Sequence, residues 1–102
     1  MATGYVNKVT NDIGSNSNGR YVKMPDGTMI QCDVKSILKG TTAITFPVSF
    51  TSIYSVATSF GAGGVRMPIY VEDIGNSGFN AVRIDTNTGA MWIRYIAIGR
   101  WM

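Results

Sequence analysis

The sequence contains no histidine, a single cysteine (Cys32) and only six acidic residues among 102. Without histidine the chain lacks the commonest general base near neutral pH, and one cysteine makes neither an internal disulfide nor a metal site. Glu72 and Asp73 are adjacent in a predicted strand, so their carboxylates point to opposite faces instead of across a cleft. We therefore expect no enzymatic activity, no metal and no cofactor, and we expect Cys32 to be a buried or half-buried thiol.

Charged residues are scarce as well, at 15% of the chain, against roughly 25% in typical soluble proteins. The nine basic residues are scattered, which argues against the basic stripe of a nucleic-acid binder. No apolar run is long enough for membrane insertion, and the start of the chain lacks the pattern of a signal peptide. A small domain with so few charges is expected to have part of its surface covered by another chain.

Turn-forming residues divide the chain into short segments. Residues 11–19, NDIGSNSNG, have the composition of a linker, so we predict an N-terminal segment and linker over 1–19 and a folded domain over 20–102. The Pro-Asp-Gly turn after Met24 predicts a hairpin that pairs Tyr21–Met24 with Met29–Val34.

Further strand-like segments follow this hairpin. Pro47 ends one of them, Pro68 suggests an edge strand, and the GAGG sequence at 61–64 predicts a flexible connection. Six or seven short strands without any helical pattern predict an all-β fold, a small antiparallel β-sandwich.

The last predicted strand is apolar on both faces over its second half. With a period of two, Met91, Ile93, Tyr95 and Ala97 share one face, and Trp92, Arg94, Ile96 and Ile98 share the other. A single small sandwich has no second layer to cover the outer of these faces. We therefore predict a homotrimer in which Ile96 and Ile98 lie at the subunit interface.

A second predicted hairpin collects groups suited to sugar binding, because glycans are recognised by aromatic faces and by bidentate hydrogen bonds. It would run from Arg83 to Arg94, and its candidate ligand-binding residues are Arg83, Asp85, Thr86, Asn87, Trp92 and Arg94. The alternative is a solvated turn with Trp92 packed on a neighbour. Second-rank candidates are Tyr54, Tyr70 and Glu72, whereas Tyr95 and Trp101 are expected to pack.

Several motifs resemble a known family. The sequences FPVSFTSIYSV, VEDIGNSGF and YIAIGRW, preceded by GRYVKMPDGTMIQC, resemble the C-terminal receptor-binding tip domains of bacteriophage tail fibres. The same spacing is similar to that of the H-type lectins, and the likeness covers about residues 19–102. The resemblance implies a homotrimeric antiparallel β-sandwich at the tip of a virion tail fibre, joined to an upstream fibre shaft where one is present. It also implies attachment to a surface polysaccharide, lipopolysaccharide or protein of a bacterium.

The lectin specificity is not carried over with this resemblance. When the sequences are aligned on Ser77-Gly78-Phe79, the sugar-binding arginine of the lectins falls near Tyr70, and their Trp-His pair falls near Asp85 and Thr86. Three functional interpretations stay open: a non-enzymatic receptor-binding tip, a purely structural cap that trimerises a fibre, and an H-type sugar-binding lectin. The fibre-like GRYVKMPDGT segment favours the first two over a lectin of cellular origin.

Overall fold

A computed structural model describes residues 11–62 and 68–102, which form eight antiparallel strands in two sheets. The strands are β1 (Asp12–Asn16), β2 (Gly19–Lys23), β3 (Thr28–Ile37), β4 (Gly40–Thr45), β5 (Ser52–Ala62), β6 (Ile69–Gly75), β7 (Gly78–Arg83) and β8 (Met91–Arg100). The five-stranded sheet has the order β1-β2-β3-β8-β5, and the three-stranded sheet has the order β4-β7-β6. The predicted all-β sandwich is therefore confirmed, with one strand more than expected.

The extra strand replaces most of the predicted linker. Residues 12–16 form β1 and pair with β2 from Asp12 opposite Lys23 to Asn16 opposite Gly19. The Asn and Ser residues of this segment form the hairpin turn, where the Asn16 side chain accepts a hydrogen bond from the Asn18 N–H. The prediction of a linker through residue 19 was wrong, because turn residues at the centre of a hairpin have the same composition as a linker. The predicted N-terminal segment over 1–10 lies outside the described residues.

The hairpin predicted around the Pro-Asp-Gly turn is confirmed. β2 pairs with β3, with Arg20 opposite Cys32 and Lys23 opposite Met29. The Asp26 carboxylate accepts the Thr28 N–H at 2.9 Å, and Gly27 adopts a φ of 97° that favours glycine. β4 ends just before Phe46 and Pro47, and β6 follows Pro68 as an edge strand, as predicted. Residues 63 and 64 of the GAGG sequence lie outside the described residues.

The core fills the space between the two sheets. Met91, Ile93, Tyr95 and Ala97 of β8 are all buried, and their neighbours Trp92, Arg94, Ile96 and Ile98 are all exposed. This alternation confirms the predicted assignment of the two faces. Phe46 and Phe79 pack against Tyr95 and against each other, and Phe50 packs edge-on against Phe46, with ring centroids 5.2–6.0 Å apart.

One buried amide attaches the loop between β4 and β5 to the five-stranded sheet. Gln31 is fully buried, its Nε2 donates to the Val48 carbonyl at 2.6 Å, and its Oε1 accepts the Val48 N–H at 3.0 Å. Both halves of the amide are thus satisfied, so its burial is compatible with a stable core. The Trp101 indole packs against the core, as predicted, and its N–H donates to the Met24 carbonyl at 2.8 Å.

The sandwich has two distinct ends. The proximal end is where Asn11 leads into β1, and it carries the turn at 24–27, the loop at 46–51 and Met102. The distal end carries the short turn at 38–39 and the connection over 84–90 between β7 and β8.

The Tyr95 side chain has a polar atom that the core does not satisfy. Its hydroxyl is buried and has no hydrogen-bond partner among the described residues, and burial raises the pKa of the phenol well above its usual value. An unsatisfied buried hydroxyl costs about 1–3 kcal/mol. We predict that Tyr95→Phe leaves the free energy of unfolding unchanged or raises it by about 1 kcal/mol, as measured by urea denaturation. A loss of more than about 1 kcal/mol would show instead that the hydroxyl has a partner, such as an internal water.

Candidate functional site

The predicted hairpin from Arg83 to Arg94 does not form. Arg83 ends β7 in the three-stranded sheet, whereas Trp92 and Arg94 lie on β8 in the five-stranded sheet. The connection over 84–90, here called the distal loop, therefore crosses from one sheet to the other at the distal end. The correction follows from pairing partners, because β7 pairs with β4 and β6 while β8 pairs with β3 and β5.

Arg83 is buried and organises the distal loop from below. The residue is 1% exposed, and its side chain forms a bidentate ion pair with Asp85 through Nε–Oδ1 at 3.0 Å and Nη2–Oδ2 at 2.7 Å. The remaining donors reach the carbonyls of Gly89 at 2.9 Å, Ile37 at 3.3 Å and Asn87 at 3.3 Å. One guanidinium thus joins β7, the end of β3 and both halves of the loop, so it supports the surface and is not free to bind a ligand.

Asp85 and Asn87 also serve the loop itself. The Asp85 carboxylate accepts the Asn87 N–H at 3.2 Å, and Oδ1 of the Asn87 side chain accepts the Gly89 N–H at 2.8 Å. Hydrogen bonds from Arg83 lower the pKa of Asp85 and raise that of Arg83, although burial of the pair opposes both shifts. These contacts constrain the conformation of the distal loop from within.

The side chains that remain accessible at the distal end are mostly uncharged. Ile84 is 71% exposed and Leu38 is 57% exposed, and Thr86, Asn87 and Thr88 of the distal loop are exposed as well. The surface therefore combines apolar patches with hydroxyl and amide groups on a rigid support. Such a combination suits recognition of a glycan or of a protein surface.

Sequence reasoning identified the polar part of this surface and missed the rest. Thr86 and Asn87 are accessible as predicted, whereas Asp85 is largely used within the loop. Leu38 and Ile84 were missed because an apolar residue beside a strand is normally assigned to the core. Their position next to turn residues is the one signal that could have marked them as exposed.

The other candidates lie elsewhere. Trp92 is 44% exposed and Arg94 is exposed, and both project from the outward side of the five-stranded sheet. Tyr70 and Glu72 are exposed on β6, with Tyr70 toward the distal end, while Tyr54 lies at a β-bulge near the proximal end of β5. The structure thus separates Tyr54 from the two residues with which it was grouped.

The outward side of the five-stranded sheet, here called the outer face, carries a row of aliphatic side chains. Ile13 is paired with Val22, Val22 with Ile30, and Ile30 with Ile98, so the row crosses four strands. Ile96 is 51% exposed and Ile98 is 39% exposed, and Cys32, expected to be at least half-buried, is exposed beside them. Both isoleucines are therefore exposed on the outer face of this chain, and their place at a subunit interface stays a prediction.

Within residues 11–62 and 68–102, no three histidine, cysteine, aspartate or glutamate side chains cluster in a way that could hold a metal ion. Nothing in these two ranges forms a helix with the length and apolar character of a membrane span.

The distal loop should depend on Arg83 for its stability. We predict that Arg83→Met lowers the free energy of unfolding by about 3 kcal/mol, because Asp85 and three backbone carbonyls lose their donor. Lys39→Met, which removes an exposed cation of the same end, is the matched control and should have almost no effect. Equal small losses in both variants, measured by chemical denaturation, would contradict the supporting role of Arg83.

Comparison with known proteins identifies a matching family and several structures with a similar fold. The family model for the C-terminal domain of gp53-like tail fiber proteins matches residues 23–100. A search of curated protein sequences finds no match. Among solved structures, a fiber of the R1 pyocin of P. aeruginosa, comprising C-terminal residues 323–701, has a TM-score of 0.70 at 19% identity. The match covers 97% of this chain and 31% of that fiber.

Two further solved structures have the same fold. An N-truncated R1-type pyocin tail fiber has a TM-score of 0.68 at 21% identity, and the match covers 97% of this chain and 96% of that one. An N-truncated R2-type pyocin tail fiber has a TM-score of 0.72 at 14% identity, with 90% of this chain and 38% of that one covered. The chain thus spans about a third of the length of two of these fibers, and its sequence over residues 23–100 carries the family pattern. This protein belongs to the family of gp53-like tail fibre C-terminal domains.

Proposed function

We propose that this domain is the receptor-binding tip of a phage-type tail fibre in the virion, and that it attaches as a homotrimer to a glycan or protein on the bacterial surface. Membership of the tail fibre family supports the setting in a fibre. The observation that carries the binding role is the distal loop, which Arg83 holds rigid while Ile84, Thr86 and Thr88 stay exposed.

The position of this loop favours a role at the tip. β1 starts at Asp12 on the proximal end, so a fibre shaft that precedes β1 would join the domain from that side. The distal loop and the exposed Leu38 lie at the opposite end of the strands. They are therefore the described surfaces best placed to meet a host cell first.

The homotrimer is supported by the outer face. Its aliphatic row is broad and accessible in the single chain, and exposed apolar patches of this kind usually mark an interaction surface. Three copies packed through the outer faces would cover Ile96 and Ile98 and would present three distal loops side by side. Weak individual sites, with dissociation constants of about 1 mM, would then gain avidity by orders of magnitude.

The proposed mode of action is adhesion without catalysis. Hydrolysis of a glycan would need two carboxylates that act together. Asp85 is instead paired with Arg83, and Asp73 accepts a hydrogen bond from Asn80 at 3.1 Å at a bulge of β6. Glu72 is left alone on the exposed side of that strand. Incubation with polysaccharide of a bound strain should release no oligosaccharide.

A structural cap that only trimerises a fibre is the competing function, and the outer face favours it as much as it favours a receptor-binding trimer. The two functions differ in what the distal loop does. A cap needs the loop only for stability, whereas a receptor-binding tip needs its exposed side chains.

Substitution of exposed loop residues separates these functions. We predict that Thr86→Glu with Thr88→Glu abolishes binding of the labelled protein to a panel of bacterial strains that differ in surface polysaccharide, with the melting temperature unchanged. Ala43→Glu with Thr45→Glu adds the same charge at exposed positions of β4 and is the matched control. Binding that is equal in the two double variants would move the receptor site away from the loop, and absence of binding by the unmodified protein to every strain would favour the cap.

A further inference from the structure

Two arginines border one groove on the outer face. Arg20 of β2 and Arg94 of β8 are both exposed, and neither guanidinium has a hydrogen-bond or ion-pair partner within residues 11–62 and 68–102. They line a shallow groove of about 260 Å3 together with Cys32, Asp33, Val34 and Tyr95. Because Arg20 is opposite Cys32 and Arg94 is opposite Val34, their α-carbons lie about 12 Å apart across β3. Two extended arginine side chains can therefore meet over the groove.

The acid that borders this groove does not compensate the arginines. Asp33 alternates onto the inner side of the sheet, opposite Tyr95. Its carboxylate is already used, because Oδ2 pairs with the Lys35 ammonium at 3.0 Å and Oδ1 accepts the Val34 N–H at 2.8 Å. The groove therefore carries two positive charges without a counter-charge of its own.

If other copies cover the outer face, the two unpaired arginines need an anion to balance their charge. A guanidinium that is removed from water without a partner is strongly destabilising, so Arg20 and Arg94 need an anion once other copies pack over them. We infer that the groove is a binding site for a small inorganic oxyanion of the phosphate or sulfate class, held by Arg20 and Arg94 where copies of the chain meet. This inference rests on the proposed trimer. Paired guanidinium groups bind tetrahedral oxyanions through bidentate hydrogen bonds.

A carboxylate of a neighbouring copy is the alternative counter-charge, and the positions of the acids argue against it. Asp12 and Glu72 are exposed without an internal partner. Asp12 is level with Lys23 and Met29, which places it about 17 Å along the strands from Val34. Glu72 belongs to the other sheet. In a ring of three copies around an axis along the strands, positions at the same height face one another, so neither carboxylate stands opposite the groove.

The test measures assembly with and without the anion. The protein is dialysed free of phosphate and sulfate, and its oligomeric state and melting temperature are compared in sodium phosphate at about 20 mM and in sodium chloride of equal ionic strength. Phosphate should lower the dissociation constant of the trimer by about tenfold or more. Arg20→Gln and Arg94→Gln should each abolish this phosphate dependence, and Lys39→Gln, which removes an exposed cation outside the groove, should retain it.

The outcomes distinguish this inference from the proposed trimer. A trimer that responds equally to phosphate and chloride would overturn the oxyanion site and leave the trimer intact. A monomer that still broadens the phosphate signal in 31P NMR, with Arg20→Gln and Arg94→Gln weakening the effect, would refute the trimer and the placement of the anion between copies, and would leave only anion binding by the two arginines of one chain. Glucose 6-phosphate with the same potency as inorganic phosphate would contradict a closed site between copies, because a sugar does not fit there.

Discussion

Strand β8 is the element on which both sides of this domain depend, because it lies between β3 and β5 in the five-stranded sheet and is apolar on both faces over its second half. Its inner side chains, from Met91 to Ala97, are fully buried in the core. Its outer Ile96 and Ile98 remain about half exposed, and covering each of them would contribute about 1 kcal/mol. A strand of this kind stabilises the fold of one chain and leaves an apolar surface exposed on its outer side. The proposed trimer is the arrangement that uses both faces.

Arg83 has the corresponding role for the distal loop. A buried arginine with five donors can satisfy several backbone carbonyls and a carboxylate at once, and here it joins two strands and the loop. The positive charge of Arg83, which the sequence suggested for ligand binding, therefore stabilises the distal loop instead. What the loop offers to a partner is its uncharged side chains, held in place with little entropy left to lose on binding.

The fold was largely predictable and the site was only partly so, for physical reasons. Alternating burial on β8 and the Pro-Asp-Gly turn are local patterns, so the strand faces and the β2–β3 hairpin could be inferred from the sequence. Which strands pair is a long-range property. β7 and β8 are adjacent in the sequence and belong to different sheets, so the predicted hairpin failed and Arg83 became a buried support. The role of Gly99 was equally invisible, although a side chain there would collide with the Ser52 carbonyl and the Phe50 ring.

In the proposed trimer the outer face is covered by other copies while the distal loop stays open, and the single cysteine allows this to be measured directly. The rate of alkylation by iodoacetamide is compared for three thiols. They are native Cys32, Cys32 in an Ile98→Asp variant, and the new cysteine of a Cys32→Ser/Thr88→Cys variant. The Ile98→Asp variant should dissociate the assembly, because its charge would be buried at the interface. We expect native Cys32 to react at least roughly tenfold more slowly than the other two thiols, because only it is shielded from the reagent. Native Cys32 that reacts as fast as the cysteine at position 88, in a protein sedimenting at its monomer mass of 11.0 kDa, would contradict the proposed assembly.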